Sequence, residues 1–477
     1  MQKDYLNLID EYKDELVQTL SDFIKVKSVE GAPVEHPEKG YLPFGEDVHN
    51  AFEFMVNLAH KEGFTTFNAD NYGGHIDFDG DGSSDEIMGI VGHLDVVPEG
   101  EGWTYPPYSG TVADGKIWGR GAGDDKGPVI AAFYAMKALK DSGFIPKKKI
   151  RMILGLDEET NWIGIEKYFE KVEKPTFGFT PDAMFPAIHG EKGTLGFKLA
   201  KKFAAGKEKG LELRSLTGGT ASNAVADRAR AIVRDENAAS YDKIKELAAE
   251  YRKETGYKVN TKGIGKTLEI TVEGVAAHAA FLWDGLNAIS IMMDFLGRLD
   301  FANDDVSDFI AFYNKYIGFH LYGEAIGCGL EDEVSGKLTF NVGLIELDSE
   351  SVTLTIDTRY PVTLEADMVY DGITPVLDAN GIGLMKGGPM LPIYMPADGE
   401  LISTLMDVYK EHTGDVDSKP LVIGGATYAR ACEGIVAFGA NFPGDPDLAH
   451  QKDEYIEIDK LVLTTKIFAD AIYRLTK

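Results

Sequence analysis

Cysteine is nearly absent from the 477-residue chain, which contains only Cys328 and Cys432. These two residues are far apart and no C-x-x-C pattern occurs, so neither a disulfide framework nor a thiolate zinc site is expected. A metal bound to this chain would have to be held by histidine and carboxylate side chains.

Basic charge and long apolar runs are also scarce. The chain has 77 acidic and 48 basic residues, a net charge of −29, and this field repels nucleic acid and anionic membranes while it attracts cations. No run of about eighteen apolar residues occurs, and Met1–Tyr5 lacks the basic segment that opens a secretion signal. We therefore predict a cytoplasmic protein with no nucleic-acid or membrane partner.

Three hydrolytic motifs are missing as well. The sequence contains neither G-x-S-x-G nor H-E-x-x-H, and neither cysteine lies in a reactive context. The sequence therefore lacks the motifs that serine hydrolases, cysteine hydrolases and H-E-x-x-H zinc hydrolases require.

The length and the order of predicted elements indicate more than one domain. A chain of 477 residues is expected to form two or three units that each bury a core. Strands alternate with helices over residues 1–190 and 388–477, which predicts an α/β fold with a mostly parallel sheet covered by helices. The order of predicted strands and helices over residues 191–387 resembles that of an α+β unit, which we interpret as a domain inserted into the first.

Apolar periodicity places the individual elements. Helices are predicted over about 5–24, 47–62, from 127, 162–172, 238–255, 286–299, 306–317 and 458–475. Strands are predicted over 65–68, 75–78, 87–97, 150–156, 193–203, 210–215, 228–233, 267–272, 337–342 and 351–357. A hairpin turn is predicted at Asp114-Gly115.

His93 and Asp95 lie two residues apart at the end of a predicted strand, so their side chains point the same way. A carboxylate that accepts one imidazole N–H fixes the tautomer and the ring orientation that metal binding requires. The alternative is a buried polar pair that closes the strand.

Further carboxylates follow other predicted strands. Asp124 lies in a glycine-rich turn that leads into a helix, where it could instead be an N-cap. Asp157, Glu158 and Glu159 repel one another unless a cation or a proton relieves them, although a solvated loop would also explain them. Glu159 could bind a metal while Glu158 faces a substrate.

The remaining candidates are Asp182, at another strand end, and His450, after a Gly/Pro-rich turn. Together these residues could hold two metal ions about 3.5–4 Å apart, a spacing typical of two-metal sites.

Five ordered segments carry a family resemblance: Gly92–Pro98, Gly119–Pro128, Glu158–Trp162, Pro181–Ala183 and Ala449–Gln451. With them the chain resembles the dinuclear-zinc metallopeptidases that include glutamate carboxypeptidase, aminoacylase and succinyl-diaminopimelate desuccinylase. Within that family it is most similar to the carnosinase-like Xaa-His dipeptidases of the PepV type.

The resemblance implies a role for each metal-site residue. Asp124 would bridge two divalent ions, of which zinc is the expected metal and manganese or cobalt are possible. His93 and Asp182 would complete one ion, and Glu159 and His450 the other. Asp95 would hold the His93 ring. Glu158 would be the general base that takes a proton from the bridging water or hydroxide. The family pattern also implies a cis peptide bond between Asp124 and Asp125.

The resemblance also assigns the inserted domain and its residues. Residues 191–387 would form a lid, whose length is similar to that of monomeric relatives, so we expect a monomer. His278 would stabilise the oxyanion with help from Asn223, and Arg359 would grip the substrate carboxylate. Apart from the resemblance, His278 reads as a core or turn residue and Arg359 as an ion-pair partner. The glycine turn Gly424, Gly425 and Thr427 would line the carboxylate end of the substrate, although Ala426 and Ala429 replace glycines that are frequent in relatives.

The resulting prediction is a metal-dependent dipeptidase for small dipeptides with a free N-terminus, Xaa-His and β-Ala-His among them. An N-acyl amino acid deacylase or desuccinylase would use the same site. A non-catalytic peptide-binding relative would usually lack the general base, but both Glu158 and Asp95 are present.

Overall fold

The computed structural model describes residues 4–204, 209–236 and 238–477. Residues Met1–Lys3, which form part of the stretch searched for a secretion signal, lie outside this description. Among the described residues, no helix has the length and apolar character needed to cross a bilayer. Cys328 and Cys432 are both buried and both free, as the sequence predicts.

The described residues form eleven α-helices, which are numbered in chain order. They are α1 Asp4–Glu11, α2 Lys13–Lys25, α3 Gly45–Lys61, α4 Lys126–Asp141, α5 Ile163–Phe169, α6 Tyr241–Thr255, α7 Ala288–Leu296, α8 Asp304–Tyr316, α9 Asp367–Ala379, α10 Glu400–Thr413 and α11 Ile458–Thr476. Short 3₁₀ helices cover Leu282–Asp284 and Tyr428–Ala431.

The strands of the described residues are numbered in the same way. They are β1 Val34–His36, β2 Gly40–Leu42, β3 Thr65–Asn68, β4 Gly74–Phe78, β5 Ile87–His93, β6 Thr111–Ala113, β7 Lys116–Trp118, β8 Lys149–Gly155, β9 Phe177–Thr180, β10 Ala183–Met184, β11 Ile188–Glu191, β12 Gly193–Lys202, β13 Glu212–Gly218, β14 Arg228–Arg234, β15 Lys258–Ile264, β16 Thr267–Glu273, β17 Glu331–Asp332, β18 Gly336–Lys337, β19 Thr339–Leu347, β20 Ser351–Tyr360, β21 Gly383–Met385, β22 Pro389–Met390, β23 Ile393–Tyr394, β24 Leu421–Ile423, β25 Ile435–Ala437, β26 Ala440–Asn441 and β27 Tyr455–Glu457.

The chain divides into two units. Unit 1 consists of Met1–His189, Met395–Leu421 and Ala426–Lys477, and unit 2 of Gly190–Tyr394 with Val422–Gly425. The predicted first domain, residues 1–190 and 388–477, also includes Gly190, residues 388–394 and Val422–Gly425, which belong to unit 2.

Unit 1 contains an α/β sheet with the strand order β11, β25, β9, β5, β8, β4, β3. The four central strands, β25, β9, β5 and β8, run parallel, and the strands on either side are antiparallel. Every residue of β5 is buried, as expected for a strand covered on both faces. The predicted α/β class is confirmed, and the parallel part of the sheet is limited to its centre.

Helix α4 is the central helix of unit 1. Its residues Lys126–Leu139 are all buried, and α1, α2 and α11 pack against it. Because α4 begins directly after the Asp124 turn, the packing of this helix fixes the turn to the core.

Unit 2 is an α+β unit with an antiparallel sheet. The strand order is β15, β16, β14, β13, β19, β20, β12, β21, and β22 also pairs with β12. Helix α7 packs on this sheet and α8 packs on α7. Alternating burial along β16 shows a sheet with one face packed and the other more exposed.

Several predicted elements match the observed bounds closely, among them β3, β5 at its start, β8, β16 and α11. The hairpin at Asp114-Gly115 is confirmed, because β6 and β7 pair across these two residues, both of which have positive φ. The strand predicted over residues 87–97 ends at His93 instead. Residues 94–97 continue the apolar pattern but leave the sheet to reach the site.

Candidate metal centre

The strands β5, β8 and β9 bring the candidate residues to one edge of the sheet. His93 is the last residue of β5, Glu158 follows the end of β8, and Asp182 follows the end of β9. Because these strands run parallel, their carboxyl ends meet at the same edge, where open α/β folds bind ligands.

His93 is fully buried, and its two ring nitrogens have different partners. Nδ1 lies 3.0 Å from the backbone oxygen of Asp95 and 3.4 Å from its carboxylate Oδ1. Nε2 lies 3.1 Å from Asp124 Oδ1 and 3.7 Å from Asp182 Oδ2. Asp95 therefore orients the ring through its backbone as well as its side chain, and Nε2 faces the carboxylates.

The two oxygens of Asp124 face two different imidazoles. Oδ1 lies 3.1 Å from His93 Nε2, and Oδ2 lies 3.3 Å from His450 Nε2. His450 Nε2 is also 2.9 Å from Glu159 Oε2. A carboxylate placed between two ligand sets in this way suits a bridging role. The Asp124–Asp125 peptide bond is cis, as the resemblance implies.

Two groups of side chains could each hold a metal ion. Ligand atoms of His93, Asp124 and Glu159 lie within 4.8 Å of one another, and so do those of His93, Glu158 and Asp182. With the contacts of His450, all five predicted ligands and Glu158 come together in unit 1. Nitrogen and oxygen donors without sulfur fit zinc, manganese or cobalt, so the residues present suit divalent metal ions.

The electrostatics of the cluster also favour cations. Burial, together with neighbouring carboxylates such as Asp182, raises the pKa of Glu158 well above its ordinary value. Burial likewise raises the pKa of Glu159. Burial would also raise the pKa of Asp124, but hydrogen bonds with His450 and His93 hold it below its ordinary value. Contacts with Asp124 and Glu159 raise the pKa of His450 to about 10. The buried carboxylates of the cluster repel one another, and bound cations would relieve this repulsion.

The carboxylate of Asp95 makes two further contacts that the sequence did not predict. Its Oδ1 accepts a hydrogen bond from the backbone N–H of Glu158 at 3.2 Å, and its Oδ2 accepts one from that of Glu159 at 3.0 Å. Asp95 is 1% exposed. One buried carboxylate therefore positions both residues of the acidic pair after β8.

In unit 2, the structure brings His278 and Asn223 together. The N–H of Ala279 donates to the backbone oxygen of Asn223 at 2.9 Å, and Ala224 forms an isolated β-bridge with His278. The N–H of Ala280 donates to His278 Nδ1 at 3.1 Å, so Nδ1 acts as an acceptor and Nε2 carries the ring proton.

Arg359 is also in unit 2, where it is 5% exposed. Its Nε and Nη2 donate to the two oxygens of Asp357, at 2.8 and 3.1 Å. Its Nη1 donates to Thr194 Oγ1 at 3.0 Å and to the backbone oxygen of Gly424 at 3.1 Å. The bidentate partner of Arg359 in the structure is thus Asp357, and its contact with a substrate carboxylate stays a prediction.

The predicted glycine turn is divided between the units. Gly424 and Gly425 belong to unit 2, and Thr427 to unit 1. A Cβ on Gly424 would lie 2.7 Å from the Cβ of Ala280, so glycine is required for the close approach to the His278 segment. Thr427 precedes the 3₁₀ helix Tyr428–Ala431, and its Oγ1 accepts from the N–H of Ala429 at 3.2 Å.

Sequence reasoning missed several residues that support the centre. Asp125 Oδ2 accepts from the N–H of His93 at 3.1 Å, and the buried pair Arg120 and Glu454 contacts the Asp124 turn. Glu454 lies four residues after His450, but nothing in a sequence alone says that its side chain turns back to a segment 330 residues earlier. The indole N–H of Trp162 donates to the backbone oxygen of Glu158 at 2.7 Å.

Comparison with known proteins gives both sequence and fold relatives. The chain is 37% identical over 470 residues to a Bacillus subtilis (strain 168) protein named "Putative dipeptidase YtjP", with 98% of each chain covered. It is 36% identical over 471 residues to the Staphylococcus haemolyticus protein named "Putative dipeptidase SH1171", again with 98% of each covered.

Solved structures share the fold at low sequence identity. Human carnosine dipeptidase 1 is similar with a TM-score of 0.56 and 16% identity, over 98% of this chain and 97% of that chain. An aminoacylhistidine dipeptidase from Vibrio alginolyticus is similar with a TM-score of 0.55 and 16% identity, over 96% of both chains.

The family assignment rests on the greater part of the chain. The description "Peptidase family M20/M25/M40" matches residues 89–474, a range that includes every predicted residue of the candidate centre. The fold and these two full-length relatives agree with that match, and the chain therefore belongs to peptidase family M20/M25/M40.

Proposed function

We propose that this peptidase is a metal-dependent dipeptidase that hydrolyses small dipeptides with a free N-terminus. The observation that carries the proposal is the position of Asp124, whose two carboxylate oxygens face His93 and His450 while Glu158 belongs to the same cluster. Relatives that match nearly the whole chain bear dipeptidase names, which supports the substrate class.

The chain's own residues have distinct tasks in this proposal. His93 and Asp182 would hold one divalent ion, Glu159 and His450 a second, and Asp124 both. Ions bound there would polarise the peptide carbonyl and make water a better nucleophile near neutral pH. Zinc is the expected metal, with manganese and cobalt as alternatives that a nitrogen and oxygen donor set also accepts.

Glu158 would move the protons of the reaction. Burial, together with neighbouring carboxylates such as Asp182, raises the pKa of the Glu158 carboxyl group well above its ordinary value, and a higher pKa makes the carboxylate a stronger base. It would take a proton from the attacking water and deliver it to the leaving amine. Asp95 holds the backbone of Glu158 and thereby keeps this carboxylate in place.

Residues outside the predicted ligand set would bind the substrate. His278 with Nε2 protonated has a donor for the developing oxyanion, and Asn223 is placed beside the same segment. Gly424, Gly425 and Thr427 would line the carboxylate end. Arg359, whose Nη1 donates to the backbone oxygen of Gly424, would bind the substrate carboxylate.

A cavity of about 340 Å³ in unit 1 has Asp124 and Asp182 in its wall. Its volume is at the lower end of the range of small-molecule pockets, which suits a substrate of two residues. Asp445, Asp447 and Glu457 also line it, and Lys460 is bound to Asp445 and Glu457. The negative balance favours a residue with a free ammonium group over an anionic succinyl group.

A metal exchange experiment with a substrate panel tests the proposal. The purified protein is stripped with a chelator and refilled with zinc, manganese or cobalt, and hydrolysis of Ala-His and β-Ala-His is compared with that of N-acetyl and N-succinyl amino acids. We expect the stripped protein to be inactive and the refilled protein to cleave dipeptides.

Two results would contradict it. Cleavage of N-acyl amino acids alone would make the protein a deacylase, and no dipeptide cleavage with any of the three metals would reject a dipeptidase function. We also propose a monomer, and light scattering at micromolar concentration would test this.

A further inference from the structure

Two buried side chains outside the predicted ligand set connect the segments that carry Asp124 and His450. They are Arg120 and Glu454, with exposed fractions of 2% and 1%. Arg120 Nη1 donates to Glu454 Oε2 at 2.7 Å. A buried ion pair is costly to desolvate, so its other contacts must explain what it does.

Glu454 accepts hydrogen bonds from three backbone N–H groups of the Asp124 turn. The N–H of Gly121 donates to Oε2 at 3.1 Å, and the N–H groups of Gly123 and Asp124 donate to Oε1 at 2.7 and 3.1 Å. With Arg120, both carboxylate oxygens are used. The backbone that presents the Asp124 carboxylate is therefore held by one side chain from a distant segment.

Arg120 makes the reciprocal contact to the segment of His450. Its Nη1 also donates to the backbone oxygen of Gln451 at 3.1 Å, the residue directly after His450. His450 itself has a φ of +63°, a left-handed conformation that is uncommon for a residue with a side chain. Its conformation is thus maintained by its neighbours.

A third contact secures the other end of the same segment. Asp453 accepts hydrogen bonds from the backbone N–H and the hydroxyl of Thr104, at 2.6 and 3.0 Å. Residues 450–454 are consequently bonded to two separate parts of unit 1, which holds the backbone of the segment that carries His450.

We propose that Arg120 and Glu454 form a positioning pair that sets the spacing between Asp124 and His450 and so fixes the affinity of the centre for its second divalent ion. This inference deepens the proposed function and rests on its two-ion centre, but not on the identity of the reaction. The pair does not touch the reacting atoms, so its effect is expected on metal binding first and on turnover through it.

The test is a zinc titration of chelator-treated protein in the presence of a competing chelator, followed by thermal melting of the metal-free form. In E454Q the side chain keeps its shape but loses the charge that binds Arg120 and one of its two carboxylate acceptors. We expect the weaker of two zinc affinities to fall by about 10- to 100-fold, as for other residues that support metal ligands.

The matched control is D77N. Asp77 forms a buried bidentate pair with Arg151 on β4 and β8, so this variant also loses a buried arginine partner in unit 1, but away from the centre. It should lower the melting temperature of the metal-free protein and leave both zinc affinities unchanged. A merely structural role of Glu454 would give the same pattern in E454Q and would overturn the proposal.

A second variant keeps the proposal testable if E454Q fails to fold. In R120K the positive charge is kept, but an ammonium cannot reproduce the geometry of the guanidinium to both Glu454 and Gln451. Unchanged zinc affinity in R120K would reject the positioning role, and weaker affinity would support it. A wild-type protein that binds zinc tightly but cleaves no dipeptide would reject the proposed function alone, whereas a wild type that binds fewer than two zinc ions would reject the positioning pair.

Discussion

At the scale of single residues, the side chains of the site contact residues that are distant in the sequence. Glu158 and Glu159 are adjacent in sequence, yet Glu159 contacts His450 and Glu158 belongs to the group around Asp182. The difference follows from successive residues pointing in different directions after a strand. Two adjacent residues can therefore have the different roles proposed for them, with Glu159 as a metal ligand and Glu158 as the proton-transfer residue.

Replacing Glu158 by alanine should separate metal binding from catalysis. We expect E158A to lose turnover of dipeptides by about 10²–10⁴-fold, the usual contribution of a general acid–base residue, while zinc binding is largely kept. The measurements are steady-state hydrolysis and calorimetric titration with zinc. The control is E166A, because Glu166 is an exposed residue of α5, the helix that follows the same loop. Turnover in E158A equal to that of the wild type would remove Glu158 from the mechanism.

Replacing Asp95 by alanine should cost stability as well as activity. The change removes the acceptor of two backbone N–H groups, those of Glu158 and Glu159, and a buried donor left without a partner costs about 1–3 kcal/mol. We expect D95A of the metal-free protein to unfold at lower urea concentration, with D95N intermediate because it keeps a carbonyl oxygen.

The control for this experiment is D79A. Asp79 is 62% exposed and contacts Lys149 in the loop after β4, so its removal should change stability by less than about 0.5 kcal/mol. Equal urea midpoints for D95A and D79A would show that the buried carboxylate of Asp95 does not support the loop.

The residue types of the centre could be read from the sequence, and their supporting contacts could not. His93, Asp124, Glu159, Asp182 and His450 each follow a strand or a glycine-rich turn, and this placement is a local property of the sequence. The contacts of Glu454 depend on packing between segments more than three hundred residues apart. Neither the periodicity nor the spacing of residues in the sequence predicts the contact between Glu454 and the Asp124 turn.

At the scale of elements, the end of β8 and the 3₁₀ helix Tyr428–Ala431 are fitted closely to each other. A Cβ on Gly155 would lie 2.2 Å from Tyr428 Cε2, far inside contact distance. The Tyr428 hydroxyl donates to Asp157 Oδ1 at 3.1 Å, and its ring meets that of His93 edge-on at 6.3 Å between centroids. Glycine at position 155 therefore lets this aromatic ring pack behind the metal centre.

A methyl group at this position should disturb both stability and activity. We expect G155A to lose about 1–3 kcal/mol of unfolding free energy, as overpacked cores do, and to lose part of its dipeptide turnover because Tyr428 is displaced. Urea unfolding and steady-state kinetics measure the two effects. The control is G263A in β15, where a Cβ has no neighbour within 4 Å. A G155A variant as stable and as active as G263A would contradict this account of the packing.

Strongly patterned elements were predictable, and those with weaker patterns were not. The long amphipathic α11 matches its predicted position, and β5 begins where the strand was predicted to begin. Helices α9 and α10 were not predicted. Pro375 lies within α9, and proline normally argues against a helix interior. Residues 94–97 were predicted as strand because apolar residues alternate there whether or not a neighbouring strand is available to pair.

At the scale of the whole molecule, the strong negative charge is accompanied by buried ionisable groups that link stability to pH. His75 in β4 is 6% exposed, and its Nδ1 lies 2.8 Å from the hydroxyl of Tyr168. Burial lowers the pKa of His75 from 6.5 to about 4. The neutral imidazole is thus the form that the folded protein prefers.

The sign of the resulting pH dependence follows from proton binding. Between pH 6.5 and about 4 the unfolded chain binds a proton at His75 that the folded protein does not, so stability falls as the pH falls through this range. We expect wild type to lose on the order of 2 kcal/mol more than H75Q between pH 7 and pH 4.5. The measurement is the urea midpoint of the metal-free protein at several pH values.

The control for the pH experiment is H60Q, because His60 is an exposed residue of α3. Its pH profile should follow that of the wild type. Parallel profiles for H75Q and wild type would show that His75 does not contribute. The quantity compared is the change of the urea midpoint with pH, because H75Q also loses the contact with Tyr168 and is therefore destabilised at every pH.

The division of the chain has a consequence for the order in which the protein is made. Unit 1 is interrupted by unit 2, so β25, His450, Glu454 and α11 are synthesised only after the whole of unit 2. A nascent chain that has reached residue 394 already contains His93, Asp124, Glu159 and Asp182, as well as β5 on one side of β9. It lacks β25, the strand on the other side of β9, and the histidine that faces Glu159. Four of the five predicted metal ligands are therefore synthesised long before His450, and the predicted centre can be completed only after residues 395–450 have been added.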